Sequence, residues 1–177
     1  MVDDGELLKE ALEAEGPAQQ ALLDGDEEAA RAGFTAAAEA YRRSWELAGQ
    51  RAFGRLIGML KARILAGDGE LEEAARYARH GVPDPDSPTA WYAVGLAAAV
   101  LEDRGVMRNA ADGMMPGGDA FRRAADALRA LASRDDEALE RACQAIRDDF
   151  AAREEHLTGV PIADTAIMFE RLGARGR

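Results

Sequence analysis

Residues Ala90 to Leu101 read Ala-Trp-Tyr-Ala-Val-Gly-Leu-Ala-Ala-Ala-Val-Leu, twelve positions without a charged residue. A helix that keeps one side in water needs a polar stripe at a period of 3.6 residues, and this segment has none. Ser87-Pro88 opens it. Serine is a good N-cap, and proline is tolerated at the first helical position because its missing N–H would have no partner there. The spacing therefore predicts a helix enclosed by other helices, the centre of the core, with Gly95 as the point where a neighbour approaches closely. Twelve residues also fall short of the roughly 18–20 needed to cross a bilayer.

Whatever encloses this helix must come from the same chain, and composition says that it is helical. Of 177 residues, 39 are alanine, whereas Val, Ile and Thr together number only 15. Strands are rich in β-branched residues and helices favour alanine, so the expected fold is all-α, a compact array of seven or eight antiparallel helices with no sheet. A chain of this size forms one domain, residues 1–177.

Caps and apolar spacing place the elements. Gly16-Pro17 is expected to separate or kink helices over 5–15 and 17–24. Gly25-Asp26 stops one helix and caps the next, which runs to about Ala48 with Ala30, Phe34, Ala37, Tyr41 and Trp45 on its apolar face. Further helices are expected over 51–66 and 70–79, with Pro83, Pro85 and Pro88 marking a connector. Residues 102–118 break the pattern and read as a long loop, a type that is uncommon in compact domains and usually functional or mobile. Helices follow over 119–132 and 135–157. A C-terminal capping helix and short basic tail occupy 160–177, with Ile162, Ala166, Phe169 and Leu172 inward.

Acidic residues number 33 and basic residues 22, a formal charge of −11. Binding a polyanion requires a basic stripe that releases counterions, so nucleic acid and an anionic membrane surface are not expected partners. Lys9 and Lys61 are the only lysines. Excess acid with so few lysines is similar to the composition of proteins from salt-loving cytoplasms. The first residues have neither a basic segment nor an apolar one, which argues against a secretory signal and for a cytoplasmic address.

A search for chemistry finds no constellation. Cys143 lies in the series Leu139, Cys143, Ile146, Phe150, a helical core spacing, and not beside a base. His80 and His156 each stand at an expected helix end and read as capping residues. No His-Glu-x-x-His, Glu-x-x-His or phosphate-binding glycine motif occurs, so no metal, cofactor or catalytic residue is assigned. Of the acid pairs, Asp135-Asp136 reads as an N-cap and Asp148-Asp149 as a wet flank beside Phe150. Met107, Met114 and Met115 in the expected loop are the candidate partner contacts, because flexible thioethers adapt to a partner surface. The alternative, which the reading favours, is that they fold back and plug gaps over the central helix.

The helices also carry a degenerate likeness to tetratricopeptide-repeat hairpins. Gly25-Asp26, Ala30, Phe34 and Ala37 match that family's turn and second helix. Trp91, Val94, Gly95 and Ala98 match its first helix. Phe121, Ala124, Ala125 and Leu128, followed by Ala138, Ala142 and Ala145, match both loosely. The Gly-Asp dipeptides at 25, 67 and 118 are spaced 42 and 51 where the family expects about 34. The likeness spans roughly residues 17–157 and implies stacked hairpins in a protein-interaction or scaffold module. Residues 88–172, with Phe150, Glu154, Glu155 and His156, more faintly resemble helical immunity proteins of polymorphic-toxin systems and proteins of halophilic microbes. That resemblance implies a chain that binds and neutralises a cognate toxin.

The leading expectation is therefore a non-enzymatic module for an unidentified protein partner. The expectation from another class is a small-molecule-binding helical domain or enzyme. It requires a cavity near Trp91, Tyr92 and the methionine segment, lined by at least two convergent polar groups.

Overall fold

The computed structural model describes residues 3–49, 51–67 and 69–177. Among these the chain is all-α, with nine helices, one 3-10 turn and no strand. The helices are α1 (Asp4–Asp24), α2 (Glu27–Ala48), α3 (Phe53–Ala66), α4 (Leu71–Gly81), α5 (Pro88–Val100), α6 (Arg104–Met114), α7 (Asp119–Ser133), α8 (Asp136–Ala151) and α9 (Asp164–Arg175). The 3-10 turn, Met115–Gly117, links α6 to α7. Successive helices pack on one another, α5 also meets α3 and α7, and α9 returns to pack on α3 as well as on α8. That last contact closes the array instead of leaving an open solenoid.

The central helix is where its composition places it. Ala93, Val94, Gly95, Leu96, Ala97 and Ala98 are all buried. A Cβ on Gly95 would sit 2.6 Å from a Leu128 methyl of α7 and 3.0 Å from the Ala110 Cβ of α6, so the close approach read from the sequence is made by two helices at once.

Three of the hairpin turns share one design. Gly25, Glu102 and Arg134 each take a left-handed conformation, with φ of 80°, 58° and 53°. The aspartate that follows donates its N–H five residues back, Asp26 to Ala21, Asp103 to Ala98 and Asp135 to Ala130, at 2.8, 2.9 and 3.0 Å. Its carboxylate then caps the next helix, accepting from the N–H of Ala29, Val106 and Ala138. One residue thus satisfies orphan groups of both helices. Gly67 is left-handed as well, but Asp68 lies outside the described residues. Gly118-Asp119 is not such a turn, because Gly118 is extended in ψ at −173° and α7 starts without a side-chain cap. The structural repeat therefore differs from the Gly-Asp series read in the sequence.

Other expectations are corrected. Residues 102–118 are not a loop. Asp103 caps α6, whose Met107, Ala110, Ala111 and Met114 form a buried stripe. Glycines at 105 and 113 disguise that helix. Gly113 is needed because a Cβ there would lie 2.2 Å from the Trp91 ring. Gly16-Pro17 does not divide α1. An interior proline costs ~3 kcal/mol or more in lost bonding, and the packing of α1 on α2 offsets it. A Cβ on Gly33 would come within 2.7 Å of the Ala18 Cβ, which measures how closely those two helices run. Helix α8 stops at Ala151, short of the expected Leu157. The polar run Arg153-Glu154-Glu155 has no apolar face to bury, and His156 turns back to stack on Phe150 with ring centroids 4.0 Å apart.

Candidate functional site

A polar network lies inside the array. Glu15 and Gln19 of α1, Tyr41 of α2 and Asp164 of α9 are buried, and Lys61 of α3 reaches them with its side chain 21% exposed. The Lys61 ammonium sits 3.3 Å from Glu15 Oε1 and 3.1 Å from Asp164 Oδ2. The Tyr41 hydroxyl donates to Glu15 Oε2 at 2.9 Å, and the Gln19 amide donates to Asp164 Oδ2 at 2.6 Å. Thr158, in the segment between α8 and α9, donates to Gln19 Oε1.

Electrostatics fixes the protonation of Lys61 and Tyr41. Burial alone would pull the Lys61 pKa down, but Asp164 and Glu15 outweigh it and hold the ammonium above the ordinary lysine range. Burial, then Glu15, pushes the Tyr41 phenol up. Lys61 is therefore held as a cation and Tyr41 as a neutral donor. A lysine held this way lacks the free electron pair of a nucleophilic amine.

A hollow of about 200 Å³ opens beside the network, between Tyr92 of α5, the start of α7, the end of α8 and the start of α9. Tyr92, Phe121 and Phe150 provide its aromatic wall. Tyr92 and Phe121 meet edge to face at 6.1 Å. Phe121 can lie there because position 117 is glycine: a Cβ would stand 2.6 Å from its ring and 2.7 Å from Pro88. Arg123, Asp149 and Arg153 form one side of the hollow, and Asp164 joins it to the buried network. Asp149 binds both guanidiniums, Arg123 at 2.9 Å and Arg153 at 2.6 Å. The Arg153 bond, with Arg123 beside it, holds the Asp149 carboxyl below the usual carboxylate range. Tyr92 has no hydrogen-bond partner among the described residues, and burial pushes its phenol up, so the O–H remains a free donor.

The sequence-predicted positions fall as follows. Met107 and Met114 are buried and Met115 is half-buried. Cys143 is buried, with its thiol pushed up to about 11 by burial. Asp135 is the N-cap of α8. His80 is exposed at the end of α4, whereas His156 stacks on Phe150, one of the residues lining the hollow, and is no helix cap. Of the pair expected to border a cavity, Tyr92 does so, while Trp91 packs over Gly113. Among the described residues no group of three or more His, Cys, Asp or Glu could hold a metal, and no helix is long and apolar enough to cross a membrane.

Sequence reading missed Glu15, Gln19, Lys61, Arg123, Arg153 and Asp164. A signal existed for the first of these. Leu7, Ala11, Glu15 and Ala18 share one face of α1, so Glu15 interrupts an apolar stripe.

No protein-family model matches the chain, no curated protein matches its sequence, and no solved structure matches its fold.

Proposed function

We propose that this chain is a non-enzymatic binding domain whose ligand is a small organic molecule held in the hollow between α5, α7, α8 and α9. One observation carries the reading. Tyr92 opens onto a space of about 200 Å³ with its hydroxyl unpaired among the described residues. The hydroxyl stands at the wall of the hollow, where a ligand's acceptor can take the place of water on it. Convergent polar groups and an aromatic wall are the usual composition of a ligand site. The candidate contacts for an unidentified protein partner were Met107, Met114 and Met115, of which the first two are buried and the third half-buried.

The test is a protein-observed NMR titration with single-ring compounds. Saturable shifts should cluster on Tyr92 of α5, the first turns of α7 and α9 and the last turn of α8. Ala120→Trp, at an exposed position lining the hollow, should abolish them without lowering the melting temperature. Shifts scattered over the surface, or unchanged by the substitution, would defeat the reading.

A further inference from the structure

We infer that the hollow is built for an aryl carboxylate: a single aromatic ring packed against Tyr92, Phe121 and Phe150, its carboxylate held by Arg123 and Arg153. This rests on the small-ligand reading above and adds the charge and shape of the ligand. The size fits one ring, since a cavity of about 150 Å³ holds benzene and this one measures about 200 Å³.

Arg123 and Arg153 share one carboxylate, Asp149, so that side of the hollow carries one uncompensated positive charge. The network behind Asp164 holds two carboxylates against Lys61, one excess negative charge supported by hydrogen bonds from Tyr41 and Gln19, so the anion belongs at the Arg123 and Arg153 end of the hollow. Two helices begin at the hollow, α7 at Gly118 and α9 at Ala163, and neither has a side-chain cap. The positive ends of two helix dipoles therefore lie there, each beside an acidic first-turn residue, Asp119 and Asp164. The Tyr92 hydroxyl is a further donor. Guanidinium forks match a carboxylate in two parallel bonds, which a neutral amide or an amine cannot reproduce.

The test uses three probes of one size, benzoate, benzamide and benzylamine, titrated at low ionic strength by NMR with calorimetry. Benzoate should bind at least tenfold more tightly than either of the others. Asp149→Asn releases both arginines and should tighten benzoate severalfold while leaving benzamide unchanged. Arg123→Gln should erase the preference for benzoate, and melting temperatures of both variants report whether they fold. Should benzamide or benzylamine bind as well as benzoate, the anion assignment is wrong and the small-ligand reading survives. Binding of benzoate weakened by Asp149→Asn overturns the assignment also. Absence of saturable binding by all three probes removes both proposals.

Discussion

Lys61 of α3 and Asp164 of α9 lie 3.1 Å apart although 103 positions separate them in the chain. The pair marks the point where the last helix closes the array onto its first half. Glu15 completes it from α1, so two buried carboxylates share one cation, with hydrogen bonds from Tyr41 and Gln19 supporting the excess negative charge.

Removing the cation should be costly. Lys61→Met leaves Glu15 and Asp164 facing each other in the core, and breaking a buried ion pair from one side costs about 3–5 kcal/mol. Chemical denaturation at pH 7 should show that loss. An unchanged denaturation midpoint would contradict this.

The parent protein should lose stability in alkali. Lys61, Tyr41 and Tyr92 all have native pKa values raised above their ordinary ones. A raised value means that the native state binds the proton more tightly than the unfolded chain. The contribution is complete below about pH 10, the unfolded value for lysine and tyrosine, and declines as pH rises further. Denaturation midpoints between pH 8 and 11.5 should be flat and then fall. A rise above pH 10 would refute the assignment.

Helix propensity and packing make opposite forecasts at Gly33. In an open helix, glycine to alanine gains about 1 kcal/mol. Here the new Cβ would sit 2.7 Å from the Ala18 Cβ and 3.2 Å from its Cα, so the backbone of α1 must move. Gly33→Ala should therefore destabilise by about 1–3 kcal/mol. Gly95→Ala should cost less, because its nearest obstacle is a Leu128 methyl that can rotate. Thermal unfolding of the two variants ranks them.

Glu102 and Arg134 hold left-handed conformations that suit glycine better. Both are exposed, and neither is in an ion pair among the described residues. Glu102→Gly and Arg134→Gly should each stabilise the fold by roughly 1 kcal/mol, the relief of the steric cost of an L-residue in this conformation. A lower denaturation midpoint in either variant would show that the side chain does something the turn alone does not require.

Cys143 should be inert in the native state. Its thiol is buried, pushed up to about 11, and placed 3.7 Å from the Ala166 carbonyl. Reaction with a thiol reagent at pH 8 should follow the rate of opening and become fast only in denaturant.

Much of the architecture was legible along the chain because it is local. The apolar run around Val94 has no face to give to water, and the aspartates at 26 and 135 cap the helices that directly follow them. Those facts determine the helix class, the buried centre and several turns. Helix α6 was hidden because Gly105, Asn109 and Gly113 weaken its propensity. Only the Trp91 ring that lies against Gly113, a contact across the hairpin, supplies the reason for glycine there. The hollow and its network were hidden more deeply. Gln19 and Asp164 are 145 positions apart, and each taken alone is an ordinary polar residue of a helix surface. Periodicity reports which side of one helix faces inward. It carries no information on which helices meet, so only the return of α9 onto α3 turned scattered charges into one buried cluster and left a space beside it.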